Sequence, residues 1–274
     1  MSDTQELRRY ALEAVGVDLM GVAPIERFQG LEPQADPGFI KPDARSVIVL
    51  GFQVPRGALR GIEQGTAWST LAASTPLHPQ IIVEMTYLVC RRLETDGWEA
   101  VPVFHHPSQL REQGVRVSAA KPEPDVILDM DYAAHAAGLG NVGMGKFFLT
   151  PEFGPRQIFS AILTDTVLEP DDITGDAVCD NCGECLAACP YEALSREHTV
   201  SAELYRTNVD RFGLHLKTCL GCDTGAIRNP YCTDAEPWRI GAACGRACVA
   251  HLEETGRLTR QFKTPFREPA EGKG

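Results

Sequence analysis

The chain has 274 residues, 43% hydrophobic and 23% charged, with a formal net charge of -11. That balance belongs to a globular protein with a core and excludes a disordered chain. The surplus of carboxylates repels a phosphate backbone, so no nucleic-acid partner is expected.

In chain order, LRRYALEAVG reads as an amphipathic helix with Leu7, Ala11, Leu12 and Val15 on one face. No apolar segment follows Arg8-Arg9, so the pair is not an export signal. SVIVLGFQVP (Ser46 to Pro55) reads as a strand, and its apolar run falls far short of the roughly 20 residues that span a bilayer. No membrane association is expected, and the location is read as cytoplasmic. PQIIVEMTYLVCRRLETDG is a helix that starts near Pro79, repeats Ile82, Met85 and Val89 at helical spacing, and stops at Gly97. Cys90 on that helix reads as a small buried apolar side chain, since no other ligand type lies near it in sequence. AVPVFHHP (Ala100 to Pro107) is a second strand, ending in His105 and His106, and FSAILTD (Phe159 to Asp165) is a third. Helical and strand patterns alternating over about 165 residues indicate an α+β or α/β sandwich. Near residue 170 long apolar elements give way to acidic loop and clustered cysteine. Three parts are therefore expected: 1–170, a cysteine module at 171–255, and a polar tail at 256–274 laid along the surface or left mobile.

Nine of the ten cysteines fall between 179 and 248. In a chain without a signal peptide such crowding favours metal over disulfides. CDNCGECLAACP places Cys179, Cys182, Cys185 and Cys189 with Pro190 in the spacing C-x2-C-x2-C-x3-C-P, in which three thiolates hold one 4Fe-4S cluster and the fourth reaches a neighbouring one. Zinc sites use pairs of C-x2-C and fit this run less well. The second half is irregular. Cys244 and Cys248 keep the x3 gap, but Gly241 stands where a preceding cysteine belongs. The assignment is that Cys179, Cys182, Cys185 and Cys248 hold the first cluster. Cys189 and Cys244 hold the second with two of Cys219, Cys222 and Cys232, the third being spare. The alternative is one cluster with a separate zinc or free thiols. Two clusters make an electron path into the first 170 residues.

In GLGNVGMG the glycines Gly138, Gly140, Gly143 and Gly145 allow close approach to a bulky ligand or, equally, a tight turn. Arg156 could anchor a carboxylate or phosphate, or form a surface ion pair. A reductive reaction needs a proton donor; DVILDMDY offers Asp125, Asp129, Asp131 and Tyr132, with Asp131 and Tyr132 preferred and His105 as a further candidate. His135 reads as packed or solvated.

VDLMGVAPIERF, ARSVIVLGFQVP and AAHAAGLGNVGMGKFFLTPEFGPRQIFSAILTD, followed by the cysteine module, resemble the epoxyqueuosine reductase and reductive dehalogenase superfamily over nearly the whole chain. TPEFGPR is closer to the dehalogenase-like branch. The resemblance implies a nitroreductase-like α/β domain, an α+β chain overall, followed by a ferredoxin-like module with two 4Fe-4S clusters that deliver electrons to a cobalamin. Gly138, Gly140, Asn141, Gly143, Lys146 and Arg156 would then contact that cofactor. The epoxyqueuosine enzymes' C-terminal extension for tRNA and the respiratory dehalogenases' export signal are not expected here. The expectation is a cytoplasmic reductase of a small organic substrate, fed by a donor such as ferredoxin or flavodoxin. Competing readings are a non-catalytic electron carrier or corrinoid-handling protein, and a flavin-binding variant of the same fold.

Overall fold

A computed structural model describes residues 3–73, 79–104, 115–124, 126–173, 177–227 and 236–267. Helix α1 (Thr4–Arg9) starts at Asp3, whose carboxylate accepts the Gln5 N–H at 2.9 Å, and runs on as a wider turn, Tyr10–Val15, to Gly16. Gly16 closes it at φ 89, a left-handed conformation that suits a residue without a side chain. Strands β1 (Leu19–Pro24), β2 (Ser46–Gln53), β3 (Ala100–Phe104) and β6 (Gln157–Thr164) form one antiparallel sheet in the order β1-β2-β6-β3. Helix α2 (Pro79–Thr95) leads into β3, and helix α3 (Met130–Ala136) precedes the short pair β4 (Asn141–Val142) and β5 (Phe148–Leu149).

The register, with Gly21 opposite Val49 and Val49 opposite Ala161, sends alternate side chains to opposite faces. One face gathers Val47, Val49, Phe159, Ala161 and Leu163 against α3. The other gathers Ile48, Leu50, Phe52 and Ile162 against α1 and α2. Burial on both sides explains why the central strands read as continuous apolar runs. Pro102 is admitted because β3 is an edge strand, paired only with β6.

Two elements escape the sequence reading. Strand β1 contains Gly21 and Pro24, which weaken a strand pattern; Gly21 is required because a Cβ there would run into the Ala137 carbonyl of α3. The hairpin β7 (Leu194–Leu204) and β8 (Thr207–Leu214) is polar along most of its length and bulged between Ser195 and Thr199, so it presents little apolar alternation. Its tip nevertheless packs on the first sheet through Leu204 and Tyr205.

The cysteine region adds helices α4 (Glu184–Ala187), α5 (Leu216–Leu220) and α6 (Ala243–Glu254). Two apolar clusters cross residue 170. One joins Phe147 and Leu149 to Cys185, Phe212, Cys244 and Leu252, and the other joins Val54, Leu59 and Leu71 to Ile240, Val249 and Phe266. The described part of the tail lies along the molecule: Arg56 Nη1 donates to the Thr264 carbonyl at 2.9 Å, and Phe266 is buried. Among the described residues no helix is long and apolar enough to cross a membrane.

Candidate metal centres

Tight turns wind the first cysteine loop, with Asn181 at φ 60 and Gly183 at φ 85 ahead of α4. Cys179, Cys182 and Cys185 face one cavity, and Cys248 of α6 completes its thiols. Cys189, Cys219, Cys222 and Cys244 line a second cavity. Cys185 and Cys189, four residues apart, thus line different cavities, as do Cys244 and Cys248 on α6, so the short helix α4 and the longer α6, packed together, separate the two. Cys219 lies in the last turn of α5 and Cys222 follows its cap, Gly221. Cys232 lies outside the described residues.

Burial pushes the Cys185 thiol up to about 12, and the neighbouring Cys179, Cys244 and Cys182 add to it. Cys219 is pushed up to about 11 by burial first, and Cys244 and Cys248 are raised likewise. Thiolates crowded in a buried space repel one another, and a multiply charged metal core is what makes them stable together. The donor set therefore fits a thiolate-held cluster in each cavity.

Gly241, the position where the repeat expects cysteine, faces neither cavity. A Cβ there would meet the Leu71 side chain, the Gly225 carbonyl at 2.6 Å and Ile62 at 3.2 Å. At the rim of the first cavity His251 Nε2 lies 2.7 Å from Asp180 Oδ2, and donor atoms of Asp180, Cys182 and His251 come within 4.8 Å of one another.

The remaining predicted residues gather at the start of α3 and along the turn after it. Asp129 caps α3, accepting the N–H groups of Asp131 and Tyr132 at 2.9 and 3.1 Å. The half-buried Asp131 has its carboxyl pushed up to about 7, chiefly by burial and then by Asp129 and Glu236, against the opposing pull of Arg211 and Lys146. Tyr132 donates its hydroxyl to the Arg27 carbonyl at 2.8 Å, and its phenol is raised by burial. His135 is buried, with Nδ1 3.0 Å from the Gly140 carbonyl and Nε2 3.1 Å from Thr207 Oγ1. His105, His106 and Asp125 lie outside the described residues.

The space left by the missing side chains of Gly138 and Gly140 is taken by the carbonyls of Asp172 and Leu149. Gly143 and Gly145 admit Cys179 and Cys185, and Asn141 sits in β4 beside them. Lys146 Nζ pairs with Glu236 at 2.7 Å. Arg156 is not on the surface: it is fully buried and donates from Nη1 to the Val54 carbonyl at 2.9 Å. Sequence spacing gives no sign of Glu236 and Arg239, whose pairing connects the second cavity to the charges around Asp131. Only the fold brings them there.

No family model matches the chain. An epoxyqueuosine reductase of Listeria monocytogenes is 24% identical over 250 residues, covering 82% of this chain and 57% of that protein. A tetrachloroethene reductive dehalogenase of Desulfitobacterium hafniense is 39% identical over 193 residues, 68% of this chain and 29% of that protein. Among solved structures, a catabolic reductive dehalogenase in complex with 3-bromo-4-hydroxybenzoic acid superposes with a TM-score of 0.59 at 18% identity, covering 90% of this chain and 32% of the other. An epoxyqueuosine reductase bound to an epoxyqueuosine-modified tRNA stem loop gives 0.50 at 19% identity, covering 79% and 55%. The chain spans from under a third to little more than half of the length of these relatives. The expectation that nucleic acid is excluded does not stand, because one homologous group includes an enzyme solved on a tRNA stem loop. Net charge averages over the whole surface and is no measure of a local binding face.

Proposed function

We propose that this chain, a homologue of the epoxyqueuosine reductases and the reductive dehalogenases, is an iron-sulfur oxidoreductase that feeds electrons through two 4Fe-4S clusters to an organic acceptor. The observation that carries the reading is the grouping of eight cysteines into two cavities of four thiols each. Cys179, Cys182, Cys185 and Cys248 would hold one cluster, and Cys189, Cys219, Cys222 and Cys244 the other. Such clusters supply one-electron reduction when bound. The ferredoxin-like description belongs to residues 171–255, and the nitroreductase-like description to the sheet of residues 1–170.

We assign the proton for the acceptor to Asp131, whose carboxyl is pushed up to about 7 by burial and then by its acidic neighbours. Tyr132 is held by the Arg27 carbonyl and serves to fix α3 against the segment after β1.

A B12-dependent mechanism is described for a solved dehalogenase that superposes with a TM-score of 0.58 at 18% identity. The residues named from the sequence for a corrinoid have partners within the chain. Gly138 and Gly140 are filled by backbone carbonyls, Gly143 and Gly145 by cysteines, Lys146 is paired with Glu236, and Arg156 is enclosed.

Anaerobic reconstitution followed by iron analysis and EPR tests the proposal. About eight irons per chain with two interacting signals supports it, and about four overturns the two-cluster reading. Turnover with a chemical reductant, tried on free organohalides and epoxides and on tRNA, then identifies the acceptor, while added cobalamin or flavin tests each cofactor by absorbance.

A further inference from the structure

Arg239 is the buried cation of the second cavity. It is 4% exposed, lines the space with Cys189, Cys219, Cys222 and Cys244, and holds Nη1 3.9 Å from Cys244 Sγ. The guanidinium is fixed from behind. Nε and Nη2 donate to Glu236 Oε1 at 3.0 and 2.7 Å, Nη2 donates to the carbonyls of Gly145 and Lys146 at 3.0 and 3.2 Å, and the group lies 4.5 Å above the Phe147 ring. Only Nη1 is turned to sulfur. Glu236 is shared with Lys146, so the three groups carry one net positive charge.

Two more donors serve the same cavity. The Ala193 N–H donates to Cys189 Sγ at 3.3 Å. Thr224 Oγ1 accepts the Ala243 N–H at 3.1 Å and lies 3.1 Å from Cys222 Sγ, where its hydroxyl can donate to a thiolate. The first cavity carries instead the Asp180 carboxylate and its partner His251 at the rim.

We propose that Arg239 holds the second cluster at a higher reduction potential than the first, so that electrons collect at Cys189, Cys219, Cys222 and Cys244. The inference rests on the two-cluster reading above. One electron added to a thiolate-held core increases its negative charge; N–H donors and a buried cation stabilise that reduced state more than the oxidised one. The lining of the first cavity has no Lys or Arg among the described residues, and its one carboxylate, Asp180, is paired with His251.

The test is an EPR-monitored redox titration of the full chain after anaerobic reconstitution, with Cys185→Ser, which retains only the second cluster, identifying the wave. Wild type should give two one-electron waves. Arg239→Met should lower the upper wave by at least a tenfold change in its equilibrium, 59 mV for one electron. Glu236→Gln removes a negative charge at constant size and should move the same wave upward, while Arg239→Lys should restore part of the loss. A merely structural role would not give shifts of opposite sign from two members of one ion pair. The inference is overturned if Glu236→Gln or Arg239→Met keeps both clusters with unshifted potentials, or if the wave that moves is absent from Cys185→Ser. A wild-type protein with about four irons and one wave would instead overturn the two-cluster reading.

Discussion

Gly145 lies so near Cys185 that a Cβ built on it would stand 2.7 Å from the cysteine Sγ, and one on Gly143 would stand 3.1 Å from Cys179 Sγ. The turn after α3 thus forms one wall of the first cavity, which gives these glycines a packing reason.

Gly145→Ala should therefore injure the first cluster selectively. Either the sulfur moves out of coordinating position or the turn moves, at a cost of about 1–3 kcal/mol for overpacking. Iron content should fall from about eight to about four per chain while the second cluster's EPR signal persists. Equal loss of both signals would contradict the selectivity.

Gly241→Cys restores the cysteine repeat on paper and should gain no iron. Its side chain would be driven against Leu71, Ile62 and the Gly225 carbonyl, so the expected result is a loss of about 1–3 kcal/mol in thermal unfolding. Cys219→Ser and Cys222→Ser should each abolish the second cluster's signal, whereas Cys232→Ser should leave both clusters intact, because two sets of four are complete without it. Loss of a cluster in Cys232→Ser would overturn the proposed ligand sets.

The difference between Cys179–Cys189 and Gly241 marks what can be read from sequence. Ligands on one short loop are fixed by spacing, because a few backbone dihedrals bring them together. The second cavity takes Cys189, Cys219, Cys222 and Cys244 from three segments with a hairpin between the first two, and no local spacing encodes that meeting. The sheet shows the same limit. Strands β2 and β6 are apolar because both faces are covered, while β1, carrying Gly21 for the Ala137 carbonyl, and the exposed hairpin β7–β8 lack that signal. Arg156 presents the reverse case, a charged side chain read as exposed or ligand-binding that is enclosed by the protein's own chain.

Asp131 predicts a pH dependence whose sign follows from the direction of its shift. Its carboxyl rises from the ordinary 3.8 to about 7 in the folded protein, so the neutral form is the one the fold favours. The favourable contribution is complete below about pH 4 and is lost as pH rises through about 7. Asp131→Asn keeps the neutral form at every pH, so its melting temperature relative to wild type should climb between pH 5.5 and 8.5. Residual solvent contact limits the gain to a few kcal/mol at most. A difference that stays flat with pH would mean that Asp131 is already ionised in the folded chain.

Arg156 separates a packing role from ligand anchoring. Burial pushes its guanidinium down to about 10, Arg56 and Arg260 add to that, and only Glu253 opposes. Nε and Nη2 have no hydrogen-bond partner among the described residues, and the group stands 5.5 Å from the Phe262 ring. Glu253 keeps its own bond to Arg56 at 2.6 Å, so removing Arg156 leaves no carboxylate stranded. Arg156→Met, which fills similar space without charge, should therefore leave the melting temperature unchanged or raise it, because an incompletely paired buried charge costs more than the apolar side chain replacing it. Arg156→Ala should lower the unfolding free energy by about 2–4 kcal/mol through the cavity it opens. Both variants should retain full iron content and the same activity per folded chain; a loss of activity in a stable, iron-replete Arg156→Met protein would place the guanidinium on a ligand instead.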